Sequence, residues 1–225
     1  TSDGTTTTVT LEAGSGSVAV AGMGTDIGNV TIDGGGGITL NGSITTAGGN
    51  IDIDDAVTLA TGAITLTTAN GTVDFASTIN GGQNLTISAG SGAVGFNGVI
   101  GGSDPLGALA VTTSNGLTLS NNITTDNGLI DINSAVTLGA DVVISSGSGT
   151  GNVDFSGAID GRQALTLTSG AGNVVLGGAI GANTTVSSLE INSTALSLAN
   201  NITTNDGLID INSPVTLTGT NLVVS

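Results

Sequence analysis

The 225-residue chain contains no cysteine, histidine, tryptophan or tyrosine, two prolines, three phenylalanines, and a single basic residue, Arg162, against 17 Asp or Glu. Each shortage closes a class of function. Without cysteine there is no disulfide staple and no thiol nucleophile. Without histidine as well, a Cys/His zinc site and a Ser-His-Asp triad are both excluded. One cation cannot displace the counterions of a phosphate backbone, so nucleic acid is not an expected partner. No stretch approaches the roughly 18 consecutive apolar residues of a spanning helix, so membrane insertion is not expected. Thr1-Ser2-Asp3-Gly4 shows neither an initiator Met nor the regions of a signal peptide, and Asn221-Leu222-Val223-Val224-Ser225 reads as a strand. A processed or excised piece is the expectation.

What is present is glycine, at 39 positions, with abundant Thr, Ser and Asn, a hydrophobic fraction of 38% and a formal charge of −16. So much apolar surface argues against an acidic disordered chain. The mixture is the one expected of a secreted bacterial repeat protein, extracellular or held at the cell surface.

Self-similarity organises the rest. Val73-Asp74-Phe75 recurs as Val153-Asp154-Phe155, and Leu85-Thr86-Ile87 as Leu165-Thr166-Leu167. Asn122-Ile123-Thr124-Thr125 recurs as Asn201-Ile202-Thr203-Thr204, and Ser43-Ile44-Thr45-Thr46 precedes both. The unit is about 80 residues long, giving super-repeats over approximately 1–72 (partial), 73–152 and 153–225 of one continuous domain.

Within each unit, apolar-polar-apolar triplets begin at Val18, Ile38, Val57, Val73, Val94, Leu117, Val136, Val153, Val174, Leu196 and Val215. Their spacing averages about 20 residues. Second triplets such as Val30-Thr31-Ile32 lie between them, and several links carry one more apolar residue, among them Ile44, Ile79, Ile100, Ile123, Ile159, Ile180 and Ile202. Period-2 alternation sends Val, Ile, Leu and Phe inward and Thr or Asp outward. Three-residue strands cannot stand alone, and two-residue hairpin turns between antiparallel partners are missing. Coils stacked in parallel solve this, because each triplet then pairs with its equivalent one coil above and below.

The predicted fold is therefore all-β: a single-stranded parallel β-solenoid (right-handed β-helix) of about eleven coils of about 20 residues, with an 80-residue super-repeat of four coils. At about 4.8 Å per coil the rod is roughly 50 Å long. Gly-Gly and Asn-Gly pairs supply its corners.

The roughly 20-residue coils, the Leu-Thr-Leu and Val-Thr-Leu triplets, and the Asn-Asn-Ile-Thr-Thr and Asn-Gly-Leu-Ile-Asp-Ile segments make the whole chain resemble the repeat (shaft) regions of large bacterial surface proteins of the filamentous-haemagglutinin and autotransporter-adhesin type. The haemagglutinin group carries Asn-Pro-Asn motifs in its secretion domain. Here the prolines stand in Ser103-Asp104-Pro105 and Ser213-Pro214-Val215, so the resemblance implies shaft rather than secretion module. It implies a rigid rod in an adhesin stalk or extracellular filament, partnered by neighbouring repeats or by end-to-end self-association. A module recognising glycan or host protein through bridges such as 101–107 is the alternative.

Polysaccharide-cleaving enzymes also use β-helices, but their chemistry needs clustered carboxylates with a cation, and Arg162 has Gly82 as its counterpart one unit earlier. No catalytic residue is assigned and an enzyme is not expected. Phe75, Phe96 and Phe155 occupy inward positions, where Phe75 and Phe96 should stack in the core rather than form a sugar platform. The densest acidic cluster is Asp52-Ile53-Asp54-Asp55. Asp52, Asp54 and Asp55 are candidate calcium ligands, calcium being the one cofactor considered. The equivalents Asp131, Asn133, Ser134 and Asp210, Asn212, Ser213 hold fewer carboxylates, which favours solvated surface acids. An outward series Ala19, Thr39, Thr58, Asp74, Gly95, Thr118, Thr137, Asp154, Val175, Ser197, Thr216 is too interrupted for an ice-matching threonine ladder. Eight Asn-x-Ser/Thr sequons occur, and their corner asparagines could instead stack as internal amide ladders.

Overall fold

The structure, a computed structural model, describes residues 7–220 and 223–225. The terminal Thr1-Ser2-Asp3-Gly4, and Asn221 and Leu222 of the last expected strand, lie outside these residues. The described residues form strands and no helix. All strand pairings are parallel, and they build a β-solenoid of about 10 turns with a spacing of roughly 21 residues.

Each turn has three sides, called here faces A, B and C in chain order. Face A carries Thr7–Glu12, Ile27–Asp33, Ile51–Ile53, Val73–Phe75, Val94–Phe96, Leu117–Leu119, Val136–Leu138 and Ile159–Asp160. Face B begins with Val18–Val20, Ile38–Leu40, Val57–Leu59 and Ile79–Asn80, passes through a bridge at Ile100, and resumes with Ile123–Thr124, Val142–Ser145, Ala164–Thr168, Ser188–Asn192 and Ile209–Asn212. Face C runs from Ile44–Thr45 through Ile64–Thr67, Asn84–Gly90, Ala108–Thr113, Ile130–Asn133, Val153–Phe155, Asn173–Leu176 and Ala195–Leu198 to Val215–Leu217.

The third side corrects the reading of two triplets and a link per coil. The lone apolar residues of the links, such as Ile79, Ile100 and Ile123, are the rungs of a complete face, paired in the series Val57, Ile79, Ile100, Ile123, Ile144. Corners crowd these segments, so a single inward Ile does what a triplet does elsewhere.

Spacing is corrected with it. The triplets do not stay on one face: those at Val18, Ile38 and Val57 lie on B, those at Val73, Val94, Leu117 and Val136 on A, and those at Val153, Val174, Leu196 and Val215 on C. The outward series is therefore divided among three faces. Averaging over those switches shortens the apparent coil to about 20 residues and raises the apparent number of coils to eleven.

The super-repeat changes meaning too. Val73 lies on A and its equivalent Val153 on C; Ile44, Ile123 and Ile202 lie on C, B and A. Residues 79 or 80 apart are thus eleven face-steps apart, three coils and two thirds, not four. Each unit is turned by a third of a revolution relative to the one before.

Inward side chains form one continuous core. Val30, Ile32, Ile44, Ile51, Ile53, Ile64, Leu66, Val73, Ile79 and their successors are fully buried. Phe75 and Phe96 are register partners on face A with ring centroids 5.8 Å apart at 43°, as expected of a core pair.

Corners are closed by a recurring hydroxyl. Thr46, Thr68, Thr125 and Thr204 each donate to the carbonyl of the glycine three residues on, at 2.6, 2.5, 2.7 and 2.8 Å. The residue before that glycine takes a positive φ at Gly48 (126°), Asn127 (60°) and Asp206 (58°), the last two being the non-glycine residues in that region among the described residues. Asn and Asp are the L-residues that tolerate it best.

Space, rather than φ, selects glycine in two stacks. A Cβ at Gly49, Gly71 or Gly92 would fall on the backbone of the glycine one coil earlier, in the order Gly28, Gly49, Gly71, Gly92. Gly107, Gly128, Gly151 and Gly172 repeat this stack, carried from the corner before face A to the corner before face C.

Candidate functional site

Asparagines at the corners are exposed hooks between coils, not internal ladders. The Oδ1 of Asn29 accepts from Asn50 N, that of Asn50 from Thr72 N, and that of Asn152 from Asn173 N, at 2.9, 3.0 and 2.9 Å. These bonds satisfy corner N–H groups that the ladders leave open. They hold the outer surface rigid beneath the acidic residues it displays.

On face A, Asp52 and Asp74 are register partners, and Glu12 and Asp33 pair two positions further along. Of the calcium candidates, Asp52 is the outward central residue of the strand Ile51–Ile53 and Asp54 follows its end, whereas Asp55 accepts from Gly34 N at 2.9 Å. Asp33 is raised above its ordinary value, chiefly by its hydrogen bond with Asp55, then by desolvation and by the charges of Asp55, Asp54 and Glu12. Asp54 is raised by desolvation and by Asp52 and Asp55. The three candidates share a neighbourhood, but among the described residues no three acidic side chains converge closely enough to hold a metal ion.

Stacked carboxylates recur on each face. Asp131 pairs with Asp154 on C, and Glu190 with Asp210 on B. Asp154 is raised by burial and then by Asp131, and its Oδ1 is buried with no hydrogen-bond partner. Asp74 is raised by burial, opposed by a hydrogen bond from Asn97 and reinforced by Asp54. Its carboxylate leans over Gly95, where a Cβ would strike it, and reaches Asn97 Nδ2 at 3.2 Å. The two Val-Asp-Phe triplets carried the sequence signal for these pairs. They became pairs only with the true coil length, which sets Asp52 against Asp74 and Asp131 against Asp154.

Two loops, 101–107 and 181–187, project from the rod and are structural copies. In the first, Asn80 Oδ1 accepts from Ser103 N at 3.0 Å and Asp104 N at 3.4 Å; in the second, Asp160 Oδ1 accepts from Asn183 N at 2.8 Å and Thr184 N at 3.0 Å. Burial would push the Asp160 carboxyl up, but hydrogen bonds from Thr184 and Asn183 outweigh it and hold it below its ordinary value. Beside the second loop is a shallow depression of about 340 Å³ lined by Arg162, Asn183, Thr184, Thr185, Ser187 and Asn205. It brings the single basic side chain of the sequence against amides and hydroxyls, with no acid in its lining.

No family model, curated protein or solved structure matches the chain.

Proposed function

We propose that this chain is a structural shaft segment of a secreted or cell-surface bacterial protein, a rigid rod in an adhesin stalk or extracellular filament. The observation that supports this reading most is the continuity of three parallel ladders around one apolar core through every described turn. Bending such a rod must stretch hydrogen bonds on one face while compressing the core on another, so stiffness follows from the topology. Repulsion between like-charged exteriors keeps rods apart in solution. Catalysis is not part of this reading, since the stacked carboxylates carry no companion cation. Neighbouring repeats of the same kind are the partners that the ladders suit.

Electron microscopy of the native source, with antibodies raised to this segment, tests the proposal. Labelled unbranched rods outside the cell are expected; label confined to globular particles or to the cell interior overturns it.

The depression beside Arg162 favours a second reading, a recognition module for glycan or host protein. Glycan-array binding by the segment, lost in Arg162→Ala, would support it, and a blank array would count against it.

A further inference from the structure

We propose that the Asp104–Pro105 peptide bond is a built-in self-cleavage point, activated by the loop that presents it. Three features converge on this bond. Asp104 is exposed, and among the described residues nothing hydrogen-bonds its carboxylate, which is free to turn onto its own carbonyl carbon. Pro105 contributes a tertiary amide nitrogen with no N–H, a group that departs as a secondary amine. The carbonyl oxygen of Asp104 accepts the backbone N–H of Gly81 at 3.0 Å, a donor already aimed where negative charge would gather.

The loop is also held still. Asn80 Oδ1 ties Ser103 N and Asp104 N, and Pro105 Cα packs so closely on Gly101 that a Cβ there would lie 3.1 Å from it. The groups that fix the loop, Asn80, Gly81 and Gly101, do not titrate.

In the reaction a side-chain oxygen of Asp104 bonds to the Asp104 carbonyl carbon and the C–N bond to Pro105 breaks. The electron pair of that bond, with one proton from solvent, goes to the proline nitrogen. Asp104 is left as a five-membered cyclic anhydride, which one water opens to restore the side-chain carboxyl and create a new C-terminus. The products are residues 1–104 and 105–225. Because Ile100 and Leu106 remain paired to Ile123 and Thr125 of the next coil, the nicked rod stays assembled.

The second loop is an internal control. Gly161 N donates to Thr184 O at 3.1 Å and Asp160 supplies the anchor, yet Thr184–Thr185 has neither a carboxyl nor a proline.

Purified protein is held at pH 4 and 37 °C and followed by denaturing electrophoresis and intact mass. Fragments 1–104 and 105–225 are expected, the second beginning Pro-Leu-Gly-Ala, and both should co-elute under native gel filtration. Folded protein should cut at least tenfold faster than protein unfolded in urea at the same pH. Asp104→Asn and Pro105→Ala should each slow the cut at least tenfold without changing the melting temperature. Thr184→Asp combined with Thr185→Pro should create a second cut. An intact folded chain, a folded rate no faster than the unfolded one, persistence of the cut in Asp104→Asn, or separation of the fragments under native conditions overturns the proposal.

Discussion

The hydroxyl of Thr68 shows how much of this fold depends on single polar atoms at its corners. The side chain is 2% exposed, and its Oγ1 donates to the carbonyl of Gly71 at 2.5 Å and approaches that of Ala89 at 3.3 Å. Thr68→Val keeps the shape and leaves a buried carbonyl without its donor, which costs about 1–3 kcal/mol. Equilibrium denaturation should show that loss, whereas the same change at exposed Thr58 should leave stability nearly unaltered. Asp154 presents the opposite case, a polar atom that weakens the rod. Its carboxyl is raised above the ordinary 3.8 by burial and by Asp131. For an acid raised on folding, the stabilising contribution is fully present below the unfolded value and is lost as pH rises through the folded one. Asp154→Asn should therefore melt higher than the parent at pH 7, and the difference should vanish by pH 3. A parent that melts higher at pH 7 would contradict the argument from burial and from the Asp131 charge.

Among elements, the corners rather than the strands set the coil. Gly71 and Gly62 separate two reasons for glycine. A Cβ at Gly71 meets the backbone of Gly49 one coil away, while Gly62 has a φ of 59° and open space around it. Gly71→Ala should cost about 1–3 kcal/mol through overpacking against atoms that cannot retreat. Gly62→Asn should be nearly silent, because Asn tolerates that region. Thermal melting of the two variants checks the order, and equal losses would sink the distinction. This also explains what could be read beforehand. Inward and outward assignments were legible because Val73, Phe75, Val94 and Phe96 alternate with polar residues, as strands require. The third face was not, because Ile79, Ile100 and Ile123 stand alone between turn residues and carry no periodicity of their own. Pairing of Asp52 with Asp74 was hidden for the same reason, since it follows from coil length. Asp52, Asp54 and Asp55 were visible as a cluster, but the backbone donor that draws Asp55 toward Gly34 lies 21 residues away in sequence.

At the scale of the molecule, the mismatch between repeat and coil winds every surface feature around the rod. Eleven face-steps advance about 18 Å at 4.8 Å per coil and return to a different side. The acidic pairs follow this path, from Asp52 and Asp74 on face A to Asp131 and Asp154 on face C. A rod built this way spreads its acidic pairs over all three faces and sets its two loops at different corners, so neither feature is confined to one side. The two loops give the cleanest measurement. Ser103 and Asn183 occupy equivalent places, but the first loop leads from face B to face C and the second from face A to face B. Because the chain lacks cysteine, Ser103→Cys with Asn183→Cys provides two unique labelling sites. If the unit were four coils, the labels would sit on one corner, separated along the axis alone by about 19 Å. With three and two-thirds coils, the width of the rod adds to an axial rise of about 18 Å, and the distance measured between paired spin labels must clearly exceed either value. A distance near 19 Å would mean that the repeat does not turn.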